Sequence, residues 1–274
     1  MPDPVLLAQM LALLLVIGAA AGVLAGLLGV GGGIVLVPAF FYAFQTLGYD
    51  GPQLMQICLG TSLATIVVTS ARSVTSHNRK GAVDREILKG WAPGIALGAI
   101  AGVALAASLR SSVLQGVFGV LGLSIGLYLG LGKPHWRLAP AMPRGFRRGV
   151  YAPGVGFLSV LMGIGGGSFG VPLMTLHGVP IHRAVATAAG FGMLIAVPGV
   201  AGFLLLSVDP ATRPPFTLGA VNLPAFAVVI AMTLVTAPLG VRIAHAMDPT
   251  PLRRIFALFL LVVAGNMLRK ALGF

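Results

Sequence analysis

Acidic residues are what this chain has least of. Asp3, Asp50, Asp84, Glu86, Asp209 and Asp248 are its only carboxylates, and none falls inside an apolar run. A carboxylate pair for hydrolysis, a carboxylate proton relay or a Na⁺ site built on Asp or Glu has no material here, and a cationic substrate would lack its counter-charge. Cysteine is reduced to Cys58, which excludes an intrachain disulfide. His177, His182 and His245 stand alone, with no HExxH, no metal-ligand spacing and no Ser-His-Asp ordering. No catalytic residue, metal or cofactor is therefore expected, and the chain does not read as an enzyme.

Charge of either sign is scarce. Charged residues make up 9% of the 274 positions against 57% hydrophobic, and the mean hydropathy is +0.98. An average soluble domain carries about 25% charged residues. So few cannot cover a surface in water, and the expected solvent is lipid. The net charge of +12 arises from basic residues between apolar segments. That placement suits membrane topology rather than nucleic acid. The first apolar segment follows "MPDP", which has no Lys or Arg, although "GAAAGVLAG" contains small residues of the cleavage type. Its length suffices to span, so a retained transmembrane helix is expected.

What the chain does have is apolar segments and glycine. The segments run over 5–28, 33–47, 53–71, 91–109 and 112–132, then 149–162, 167–177, 184–206, 219–246 and 250–268. A spanning helix needs about 20 residues. Segments 33–47, 149–162 and 167–177 are shorter, and all three abut a glycine run. The first run, "GVGGGIVLVP" at 29–38, returns as "GIGGGSFGVP" at 163–172. Six of ten positions coincide: Gly29/Gly163, Gly31/Gly165, Gly32/Gly166, Gly33/Gly167, Val37/Val171 and Pro38/Pro172. Beyond the runs, Thr61 in "GTS" (60–62) has a counterpart Thr187 in "ATA" (186–188), and 101–120 aligns with 239–258.

These repeats predict an all-α polytopic membrane protein of two units, 1–132 and 149–274, joined by a linker at 133–148. The basic residues orient it. Arg72, Arg79, Lys80, Arg85 and Lys89 share a loop, and Lys133, Arg137, Arg144, Arg147 and Arg148 share the linker. Alternation places them on one face with Arg183, Arg242, Arg253 and Arg254, leaving Arg110, Arg213, Arg269 and Lys270 on the other. The positive-inside rule makes the first face cytoplasmic and both termini periplasmic. Each unit then has an odd number of net crossings, so the units form an inverted repeat.

Irregular backbone survives in lipid only when buried in protein or lining a water-filled cavity. Carriers built from inverted repeats place broken helices at mid-membrane, with half-helix N-termini toward anionic groups. On that reading Gly29, Gly31, Gly32, Gly33, Gly163, Gly165, Gly166 and Gly167 form an anion site, with Thr61, Ser62, Ser168 and Thr187 offering hydroxyls. Broken or re-entrant helices at the two runs follow. The competing reading is close helix packing, which is the expectation for Gly98/Gly102 and Gly122/Gly126. Hydroxyls bonded back to helix carbonyls are an equal alternative for Thr61 and Ser62. A phosphate loop is excluded by the missing Lys-Ser/Thr. Arg72, His77, Arg79 and Arg242 read either as snorkelling side chains or as a basic vestibule that concentrates anions. Pro198 is placed to kink or break its helix.

The doubled GxGGG…P, "GTSL" (60–63), "HNRKGAVD" (77–84) and "PLGVRIA" (238–244) together resemble the sulfite exporter TauE/SafE family across essentially the whole chain. The resemblance implies a permease of the bacterial inner membrane exporting sulfite or an organosulfonate such as sulfoacetate. Second copies in the family often repeat GTS where this sequence has Ala186-Thr187-Ala188. The expected function is a secondary carrier for a small anion working by alternating access. An anion channel, an uptake permease and a non-transporting scaffold are the alternatives. Its partners are a small anionic substrate and the bilayer, not nucleic acid. Oligomeric state is not specified by the sequence.

Overall fold

A computed structural model of the chain describes residues 4–28, 33–132, 136–246 and 249–273. Its helices in chain order are α1 (Pro4–Leu28), α2 (Gly33–Thr46), α3 (Leu54–Arg79), α4 (Arg85–Ser108), α5 (Ser111–Leu131), α6 (Gly145–Leu161), α7 (Gly167–Leu176), α8 (Ile181–Leu205), α9 (Leu223–Ala246) and α10 (Pro249–Ala271). Six of the described helices, α1, α3, α4, α5, α8 and α9, contain stretches long and apolar enough to cross a membrane. The chain is thus an all-α polytopic membrane protein. α2 and α7, which follow the glycine runs, have only 14 and 10 residues. At 1.5 Å per residue, α7 is about 15 Å long, half a bilayer core.

Several boundaries differ from expectation, among them α6, which begins at Gly145 inside the expected linker. Helix α3 continues to Arg79 and α4 begins at Arg85, so Arg72, His77 and Arg79 lie on a helix rather than in a loop. Asp84 caps α4, its carboxylate accepting from the Ile87 N–H at 3.1 Å, which starts the helix ahead of its apolar stretch. The segment expected from 219 opens instead with an antiparallel hairpin of β1 (Thr217–Leu218) and β2 (Val221–Asn222), turning at Gly219 with φ +56°. Helix α8 runs uninterrupted through Pro198, so that proline does not break it.

Glycine sets the packing. On α4, a methyl at Gly98 would meet the Pro153 carbonyl of α6, and one at Gly102 would lie 2.9 Å from the Phe157 carbonyl oxygen. The register rises in the same direction on both helices, so α4 and α6 are parallel. α1 and α9 repeat the arrangement, Gly18 facing Val229 and Met232 and Gly22 facing Thr233 and Thr236. α5 and α10 are antiparallel, with Gly119, Gly122 and Gly126 against Leu268, Ala264 and Leu261 in turn. α3 and α8 are also antiparallel, pairing Gly60 with Phe203, Leu63 with Gly199 and Ser70 with Gly192. Replacing each helix by the one five places along maps α1·α9 onto α6·α4 and leaves α3·α8 and α5·α10 unchanged. The glycine pairs Gly98/Gly102 and Gly122/Gly126 are therefore close-packing devices, as expected.

The ends of the bundle differ in charge. Arg79, Lys80, Arg85, Lys89, Arg144, Arg147, Arg148 and Arg183 gather where α3 ends and α4, α6 and α8 begin, joined there by the Asp84–Arg183 and Glu86–Arg144 pairs. At the opposite end, Lys270 bonds Gln45, Arg269 bonds Asn266, and the Pro52 carbonyl accepts from the Ser111 N–H.

Candidate functional site

The second glycine run builds a helix start with nothing to cap it. Helix α6 closes in a Schellman turn, Ile164 N–H to the Ser159 carbonyl and Gly163 N–H to Val160, both at 2.9 Å. Gly163 sits at φ +62°, which an L side chain rarely adopts, and a Cβ there would strike Leu59 and Val37. Gly166 then occupies the N-cap of α7 without a side chain to accept a hydrogen bond. The first bond into the helix is Gly170 N–H to the Gly166 carbonyl at 2.8 Å. The N–H groups of Gly167, Ser168 and Phe169 have no acceptor among the described residues. The Ser168 hydroxyl has none either, though the residue is only 7% exposed. Donors left bare at a helix start that is half-buried to buried are open to a ligand or water.

The surroundings come from both halves. A Cβ on Gly33 would lie 3.1 Å from the Gly163 carbonyl and 2.8 Å from Ile66. The same Ile66, at the middle of α3, is the nearest neighbour of Gly165 at 3.3 Å. Ser62 donates to the Gly163 carbonyl at 2.7 Å, pinning the run to α3. Gly166 presses on α8, where a methyl would meet the Ala188 carbonyl and Phe191. Gly192 leaves room for the Ser70 hydroxyl beside Gly166.

Of the residues singled out by sequence, Gly33, Ser62, Gly163, Gly165, Gly166, Gly167 and Ser168 are thus brought together. Gly29, Gly31 and Gly32 lie outside the described residues. Ser62 spends its one hydrogen on a backbone carbonyl. Thr61 and Thr187 are buried and act as acceptors, from the Asn222 N–H and the Asp84 N–H respectively, each at 2.9 Å. Arg72, Arg79 and Arg242 are exposed and His77 is half-buried. Sequence reading missed Ser70, Gly192 and Ser159. Ser159 is fully buried one turn before the run, with a hydroxyl that finds no partner among the described residues. Small residues spaced along α8 and hydroxyls spaced along α3 were the available signal, but both are common in membrane helices.

A cavity of about 290 Å³ opens at the basic end, away from α7's first turn. Its walls include Trp91, Arg148, His177 and the Asp84–Arg183 pair at 3.1 Å, with the linker residues Pro140–Pro143 beside them. The arginines lining this cavity, Arg144, Arg148 and Arg183, are not those the sequence nominated as a vestibule. Among the described residues no group of His, Cys, Asp or Glu could hold a metal.

Comparison with known proteins gives consistent results. Residues 14–267 match the family described as sulfite exporter TauE/SafE. A "Probable membrane transporter protein" of Haemophilus influenzae is 33% identical over 260 residues, covering 94% of this chain and 98% of that protein. One from Methanocaldococcus jannaschii is 26% identical over 275 residues, covering 94% and 96%. The "Probable membrane transporter protein YunE" of Bacillus subtilis is 31% identical over 208 residues, covering 68% and 76%.

Proposed function

The chain belongs to the sulfite exporter TauE/SafE family of membrane transporters, and from that premise we propose that it is a secondary carrier, not an enzyme, exporting a small oxyanion such as sulfite or sulfoacetate across a bacterial inner membrane. The observation that carries this reading is the bare start of α7: the N–H groups of half-buried Gly167 and Phe169 and of buried Ser168, with the Ser168 hydroxyl, have no acceptors among the described residues. A helix N-terminus adds partial positive charge, and glycine lets the anion reach the backbone. The antiparallel α3 and α8, and α5 and α10, support an inverted repeat of 1–132 and 149–274. We assign the basic end, with the linker 133–148, to the cytoplasm, and both termini to the periplasm.

Alternating access is the corresponding mechanism. The anion enters from the basic end, rests against α7 and its symmetry counterpart after Gly29–Gly33, and leaves when the packing of the halves exchanges. The membrane potential supplies the work. An interior negative by 100 mV drives each negative charge outward by about 2.3 kcal/mol, so a dianion gains about 4.6 kcal/mol. That sustains a gradient above roughly a thousandfold without an ion-coupling carboxylate.

The test is flux in proteoliposomes at equal pH and sodium under an imposed potential. Sulfoacetate flux is expected to be saturable and to reverse with the sign of the potential. Ser168→Ala is expected to raise KM roughly tenfold, the scale of one hydrogen bond to a charged group. Gly165→Ala, whose methyl would rest 3.3 Å from Ile66, is expected to lower flux with the fold retained. Flux that follows a proton gradient and ignores the potential overturns the mechanism, and normal transport by both variants overturns the site.

A further inference from the structure

We propose that the cavity at the basic end is a second anion-binding site, in which a small organic sulfonate or carboxylate displaces Asp84 from Arg183. The cavity is built for negative charge. Arg144, Arg148 and Arg183 line it, and helices α4, α6 and α8 all begin around it. The protein supplies two carboxylates of its own, Asp84 on Arg183 at 3.1 Å and Glu86 on Arg144 at 3.6 Å. Arg148 has no carboxylate among the described residues, so positive charge remains in excess.

His177 forms part of the same wall. It is 7% exposed and lines the cavity. Its Nδ1 lies 2.7 Å from the Leu173 carbonyl and so carries the hydrogen, leaving Nε2 as a free ring nitrogen. Among the described residues Nε2 has no partner.

Size and lining favour an organic anion. About 290 Å³ approaches the lower range of small-molecule pockets and greatly exceeds a bare tetrahedral oxyanion. Ile87, Trp91 and Met142 offer apolar surface to a short carbon skeleton.

Asp84 can yield Arg183 cheaply. Its Oδ1 accepts from the Ile87 N–H and its own N–H bonds Thr187, while the ion pair uses Oδ2. A ligand taking Arg183 leaves in place both the cap of α4 and the Thr187 bond, which itself ties the start of α4 to α8, and breaks only the ion pair. α8 is also the helix on which Gly166 rests. The choice of sulfonates as ligands rests on the transport reading above; the existence of the site does not.

Trp91 and Trp136 are the only tryptophans, so Trp136→Phe, at a residue 45% exposed, leaves Trp91 as a reporter. The full chain is titrated with sulfoacetate, and separately with succinate, against sodium chloride at matched ionic strength. Thermal stabilisation of the unsubstituted chain is the second readout. A saturable Trp91 response is expected, weakened at least tenfold by Arg183→Gln and tightened at least threefold by Asp84→Asn. Asparagine keeps the cap. Glu86→Gln is expected to stay within twofold of the parent, and Gly165→Ala to leave the titration unchanged. No saturable response in either readout overturns the proposal. So does equal tightening by Asp84→Asn and Glu86→Gln, which would mean a general field effect, and so does loss of the signal in Gly165→Ala, which would place the ligand in the central site. A ligand that binds and is carried in vesicles is the transported anion; one that binds and is not carried is a regulator. Both support the site, and binding without any flux would remove the transport reading alone.

Discussion

Thr61 and Thr187 occupy matching places on α3 and α8 and make the same bond. Each receives the N–H of the residue that caps another helix: Asn222, whose side chain accepts from Ala225 at 2.9 Å, and Asp84, whose side chain accepts from Ile87. The repeat of Thr was legible in sequence, and so was the suspicion that such hydroxyls serve the backbone. Their partners were not legible, because Asn222 and Asp84 lie far away in the chain and carry no motif. Valine keeps the shape of threonine and removes the acceptor. Thr61→Val strands a fully buried N–H and is expected to destabilise by about 1–3 kcal/mol. Thr187→Val is expected to cost less, about 1 kcal/mol, because Asp84 is partly open to water. Chemical unfolding of the purified variants measures both; a Thr61→Val chain of full stability but impaired transport would return that hydroxyl to the substrate.

At the scale of elements, the ten apolar segments foretold the ten described helices because helices in lipid must be apolar and continuous. The errors fell where that rule stops applying. The last turns of α3, "SVTSHNR", are polar and carry no hydropathy signal, yet they remain helical with His77 and Arg79 placed favourably at the C-terminal end. The contact between helices could be anticipated only as glycine spacing, and the partner of each glycine could not. Gly98 and Gly154 show how much the partner matters. Gly98 abuts the Pro153 backbone, whereas a Cβ on Gly154 would meet nothing within 4 Å. Gly98→Leu should push α4 off α6 and cost more than the roughly 1–3 kcal/mol of ordinary overpacking, since backbone cannot step aside. Gly154→Leu should be nearly neutral. Thermal unfolding of the two variants decides, and equal behaviour would mean that α4 and α6 are not held by this contact.

For the whole molecule, the charge asymmetry read from the sequence coincides with the two ends of the bundle. The side of the membrane each end faces is testable directly. With Cys58 replaced by serine, a cysteine at residue 140 should be protected from an impermeant thiol reagent in intact cells. One at residue 211, in the loop between α8 and β1, should react. Labelling at 140 from outside would reverse the assigned orientation. The expectation of two repeats, 1–132 and 149–274, rested on the sequence, and how their helices engage was not readable there. The extensive helix pairings, α1 with α9, α4 with α6, α3 with α8 and α5 with α10, all join one half to the other. Packing within either set of five helices, chiefly α2 on α3 and α7 on α8, is smaller. On the ribosome this imposes a wait: the first five helices enter the membrane with their glycine faces turned to lipid, and no partner exists until the second half is made. At about 5–20 residues per second that interval is on the order of ten seconds. Through it the first five helices present those faces to any neighbouring copy, and tethering in one chain favours pairing with the second five as they emerge.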